Sequence, residues 1–158
     1  MPFNIYAVLV AALVTLVIGF IWYNPKVFGT IWMKETGMTE EKAQQGNMAK
    51  IFGLTIFYSL LLALMLPQIV NHEVGAMQAA GGNDQDPALI EFLKVHTGKF
   101  RSFKHGLLHG ILAGVFFALP ITAINALFEQ KSWKYILVNA GFWIVSLGIM
   151  GAIICGWK

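Results

Sequence analysis

Residues 106–128 read GLLHGILAGVFFALPITAINALF, a run without a formal charge that is long enough to cross a bilayer. A hydrocarbon core roughly 30 Å thick needs about 20 apolar residues at a rise of about 1.5 Å each. Three further runs meet the same test: residues 4–23, 51–70 and 136–157. The sequence therefore specifies an all-α, polytopic membrane protein of four transmembrane helices, accompanied by short interfacial amphipathic helices. With their flanks the spans fall at about 4–23, 48–70, 105–128 and 135–157, in a single domain covering residues 1–158.

Composition agrees. The chain is 57% hydrophobic and only 12% charged, with a mean hydropathy of +0.65, against roughly 25% charged residues in soluble domains. Its 158 residues leave no room for a separate soluble domain beside four spans. The net charge is +3 and the lysines are scattered through the loops. Nothing resembles the clustered basic face of a nucleic-acid binder, so the expected partners are the lipid bilayer and other membrane proteins. The single cysteine, Cys155, lies inside the last apolar run and reads as a packing residue. The N-terminal run has no Lys or Arg ahead of it, exceeds an h-region and lacks a small-residue cleavage site, so it is expected to be a retained helix rather than a signal peptide.

Outward from the spans, Phe20, Ile21, Trp22 and Tyr23 place aromatic rings at headgroup level. Asn24-Pro25 ends that helix, and proline suits the first position of the next. Val27, Phe28, Ile31 and Trp32 lie on one face of a short interfacial helix from Pro25 to about Glu35, with Gly37 as its C-terminal cap. Thr39 followed by Glu40 and Glu41 is a helix start, which sets the beginning of the second helix near Thr39 and its end between Pro67 and Asn71. The segment 72–104 is the longest polar stretch, turning at Gly81-Gly82-Asn83-Asp84. Within it, Asp86 caps and Pro87 opens an amphipathic helix carrying Leu89, Ile90, Phe92, Leu93 and His96. Lys99, Arg101 and Lys104 interleave with Phe100 and Phe103, the pattern of an interfacial anchor. Lys26, Lys34, Lys42, Lys50, Lys131 and Lys134 share one side; Lys94, Lys99, Arg101, Lys104 and Lys158 share the other. Because the N-terminal tail carries no basic side chain and Lys26 follows the first span, both termini are expected outside the cytoplasm.

Polar and small residues inside the spans mark where helices meet or where chemistry can sit. Gly106, Gly110, Gly114 and Ala118 recur every four residues and form a stripe for close helix approach, a substrate groove or a self-dimerisation face. Asn125 and Asn139 flank the tight turn between the third and fourth spans, which predicts an interhelical hydrogen bond between them; Ser146 follows Asn139 on the same helical face. His105 and His109 are one turn apart and can share a metal. His72 and Glu73 close the second span on the same membrane face, so His72, Glu73, His105 and His109 are the candidates for a transition-metal or proton-handling site. No other cofactor and no catalytic residue is expected.

Trp22-Tyr23-Asn24-Pro25 with Phe28-Gly29 and Trp32, then His105-Gly106, His109-Gly110, Gly114, Pro120 and Asn125-Ala126, and finally Trp133-Lys134 and Asn139-Ala140-Gly141 form a pattern. It resembles the bacterial membrane family catalogued as domain of unknown function 1761, over nearly the whole chain. The resemblance implies compact four-span proteins of the bacterial inner membrane, with no assigned reaction and no catalytic residues to carry over. The leading functional reading is helix association, as a homo-oligomer or an accessory subunit of a membrane complex, without enzymatic activity. The alternative is a transporter or channel with a polar pathway along the third and fourth helices, lined by Asn125, Asn139, Ser146, Thr122 and Thr55. A metal-dependent membrane enzyme around the histidines is third.

Overall fold

The computed structural model describes residues 4–157; Lys158, counted above in the charge balance, lies outside them. Helix α1 spans Ile5–Trp22 and starts at Asn4, whose side chain accepts from the Tyr6 and Ala7 N–H groups. A widened π-turn over Pro25–Gly29 redirects the chain into α2 (Thr30–Thr36). Gly37 ends α2 in the left-handed conformation (φ 69°), which a residue without Cβ adopts at no steric cost.

The second span does not begin at Thr39. Thr39 caps only α3 (Glu40–Gln44), and Asn47 caps a separate α4 (Met48–Met65) by accepting from the Lys50 N–H at 3.0 Å. The Gln45-Gly46-Asn47 sequence supplies both a weak helix former and a strong new cap, so the chain breaks there. Beyond Leu66, α5 (Pro67–Val70) continues the same span. Asn71 then caps a further helix, α6 (His72–Ala79), accepting from the Glu73 N–H at 3.0 Å. Helix α7 (Pro87–His96) is opened by Asp86 and Pro87.

The third span comprises α8 (Phe103–Ala113), a π-turn (Gly114–Ala118) and α9 (Leu119–Phe128). The π-turn lies just ahead of Pro120, whose missing N–H and ring cannot be accommodated in a regular helical ladder. A short turn leads into α10 (Trp133–Gly156), capped by Ser132. Four helical stretches are long and apolar enough to cross a membrane: Ile5–Trp22, Met48–Val70, Phe103–Phe128 and Trp133–Gly156. Among the described residues there is no strand.

Helix α10 is the axis of the bundle. Half of its span is buried inside the protein, against a third or less for the others. It packs along α8 on one side and α1 on the other; α4 leans on α1, and α5 crosses to meet α8 and α10. The core runs through Val8, Ala11, Ala12, Ala63, Val70 and Met150. At its centre the Thr15 and Ser59 hydroxyls hydrogen-bond to each other, satisfying two buried polar groups that hydrocarbon would leave unpaired. An aromatic knot closes the face where α1 ends. Tyr23 lies 5.3 Å, ring to ring, from both Trp32 and Phe142, and Trp22 stands 4.5 Å from Phe28. Ser132 donates to Glu35, tying α2 to the turn before α10.

Candidate functional site

The glycines of the third span are used up within the chain. A Cβ on Gly106 would collide with the Gly151 carbonyl, one on Gly110 with the Leu147 carbonyl, and one on Gly114 with the Ile144 backbone. Gly148 and Gly151 on α10 face them in return. The stripe therefore seats α8 on α10 at backbone contact distance, with Ala118 packed against the core one turn further on. It is not available as a self-dimerisation face.

The hydrogen bond expected between Asn125 and Asn139 does not form. Asn125 points outward from α9. Asn139 donates to the Tyr135 carbonyl at 2.8 Å and accepts from the Tyr23 hydroxyl at 3.2 Å, so its interhelical partner is on α1. The indole Nε1 of Trp22 donates to the neighbouring Val138 carbonyl at 3.0 Å. Matching depth along a hairpin was legible from spacing; helix rotation, which decides what faces what, was not. Ser146 is fully buried in α10, with no partner for its Oγ among the described residues, and Thr55 donates back to the Ile51 carbonyl. Asn139 and Ser146 lie on the same side of α10, two turns apart, while Asn125 is exposed on α9.

The histidines do converge. Asn71 adopts an extended conformation (φ −123°, ψ 108°) between α5 and α6, which swings His72 over the first two turns of α8. There His105 and His109 share one face by their i,i+4 spacing. Ring centroids are 4.3 Å apart for His105 and His109, 4.8 Å for His72 and His105, and 5.6 Å for His72 and His109. One potential ligand nitrogen from each lies within 4.8 Å of the others. The Phe100 ring leans on the cluster, 5.2 Å from His72 and 5.5 Å from His105. The loop carrying it is held down by Cys155 Sγ, 3.5 Å from the Phe100 carbonyl, and by an Arg101 guanidinium N–H donated to the Trp157 carbonyl at 3.4 Å.

Glu73 stands apart from this trio. Its Oε1 accepts from the Gly98 N–H at 2.6 Å, which fastens the turn after α7 to α6. The fourth candidate ligand thus holds the loop in place. One atom in the cluster is chemically incomplete: Nε2 of His105 is buried and has no hydrogen-bond partner among the described residues. A buried polar nitrogen left so costs on the order of 1–3 kcal/mol. Coordination of a cation by the three rings would remove that cost. Tetrahedral zinc bonds of about 2.0–2.1 Å set nitrogens about 3.4 Å apart, so the widest pair must close by roughly 1.4 Å. His72, the exposed member of the trio, has the most freedom to adjust.

These features define the class: a polytopic helical membrane protein with a three-histidine cluster where its second and third spans meet at one face. The chain belongs to the family described as Protein of unknown function (DUF1761), which it matches over residues 6–155. Comparison with curated proteins and with solved structures found no match.

Proposed function

We propose that this protein holds a transition-metal ion on His72, His105 and His109 at one membrane face, and that it acts through that ion. The observation that carries the reading is the buried, unpartnered Nε2 of His105 inside a cluster of three imidazoles. Imidazole suits zinc, copper, iron and nickel. Three neutral ligands leave at least one coordination position open, the arrangement of an ion that works on a ligand rather than one that merely staples a fold. The three ligands are all neutral, so they do not themselves offset the charge of the ion. Helix association loses its main support, because the glycine stripe is already covered by α10. We further propose an inner-membrane location with both termini, and hence the trio, outside the cytoplasm, following Lys26, Lys34, Lys42 and Lys50 between the first two apolar runs.

Elemental analysis of the purified protein tests this. About one ion per chain is expected in the wild type, and His105→Ala and His109→Ala should each weaken binding by about 100-fold or more. Metal content that is absent from the wild type after loading, or unchanged in both variants, overturns the proposal.

A further inference from the structure

A groove of about 570 Å³ opens beside the trio between α6 and α7, and His72 belongs to both. It exists because α6 presents only Gly75, Ala76 and Ala79 on the face that follows His72, with Ala80 directly after them. Those positions recur at helical spacing, so small side chains line one continuous wall. Leu89 and Phe92 of α7 form the opposite wall. Polar groups gather at the end where α5 meets α6, on Gln68, Asn71 and His72, with Asp86 lining the α7 side. Tightly packed helix pairs leave no space of this size, whereas ligand pockets of 300–1,000 Å³, apolar with a few polar groups, are usual.

Resting on the metal reading above, we infer that the groove takes a single-chain carboxylate, with its headgroup on the open metal position beside His72 and its hydrocarbon chain along the alanine wall. Three features select this ligand. An ion whose three protein ligands are neutral attracts an anionic donor such as a carboxylate. The wall beyond His72 is apolar. Eight residues of α6 extend about 12 Å, room for a chain of roughly eight to ten carbons. The groove lies at the end of two membrane spans, where such amphiphiles concentrate.

Cobalt(II) serves as the probe metal, with the full-length protein in phosphatidylcholine nanodiscs. Cobalt uptake, read from its visible absorption, tests the metal site; titration of the loaded protein with decanoate and with acetate tests the groove. Decanoate should perturb the cobalt spectrum at a concentration at least about tenfold lower than acetate. Bilayer partitioning also enriches decanoate, so the deciding comparison uses Ala79→Phe, which fills the groove at an exposed position. Gly75→Leu is the second filler, since nothing lies within 4 Å of where a Cβ would stand there. Both variants should bind cobalt as the wild type does and lose about tenfold in decanoate sensitivity. Cobalt uptake with equal decanoate sensitivity in wild type and variants overturns the inference while leaving the metal site intact; no cobalt uptake in the wild type overturns the metal reading itself.

Discussion

Asn139 and His105 show how single polar atoms are settled in a bundle with little water. Asn139 reaches Tyr23 on α1 and its own helix at Tyr135, so both ends of its amide are occupied. Asn139→Leu should destabilise the protein by about 0.6 kcal/mol, the mean for interhelical bonds in membranes, as read by unfolding in mixed micelles. A double-mutant cycle with Thr15→Val and Ser59→Ala should return a coupling of similar size, about 0.6 kcal/mol, for the buried hydroxyl pair. His105 has the opposite status, with one nitrogen unmatched among the described residues. Glu73 is committed to Gly98, so Glu73→Gln should leave the metal stoichiometry unchanged. A fall in metal content would return the carboxylate to the ligand set.

At the scale of elements, the contact between α8 and α10 sets the register of everything near the site. Glycine carbonyls and glycine Cα atoms meet there without intervening side chains, so an added side chain has nowhere to go. Gly110→Leu should cost about 3 kcal/mol or prevent folding, measured by thermal unfolding in detergent. Gly53→Leu on the outward face of α4 is the control, since a Cβ there meets nothing within 4 Å. It should be nearly neutral. The same contact carries His105 and His109, so a shift of α8 along α10 would move two of the three histidines together. Three helix starts are each explained by their caps: Asn47 for α4, Asn71 for α6 and Asp86 for α7. Only the cap at Asp86 was recognised from sequence. Asn47 and Asn71 stood inside segments whose polarity masked a helix start.

Across the whole molecule, four spans return the chain to the face it left. Asn4, the histidine trio and Trp157 therefore share one membrane side, and the turn around Gln130 lies on the other. In cells, a membrane-impermeant maleimide should label Asn4→Cys and Trp157→Cys together and leave Gln130→Cys unlabelled, in a background where the buried Cys155 is replaced by serine. Labelling of Gln130→Cys alone would reverse the proposed orientation. Labelling of only one terminus would contradict the even number of spans.

The sequence by itself determined the fold class, the number of spans, the short helices after Pro25 and Pro87, and the family. Those follow from run length, charge placement and capping chemistry, which are local and need no partner. It also placed His72 beside His105 and His109 on one face, because antiparallel succession fixes which ends share a side. Tertiary structure decided the rest. Rotation of each helix about its axis turned Asn125 outward, gave Asn139 to Tyr23, spent the glycine stripe on α10 and aimed three imidazoles at one point. In an all-apolar span hydrophobic periodicity carries no signal for rotation, since lipid and protein interior are equally apolar. Only backbone approach and polar pairing select the angle, and both exist only once the helices are packed.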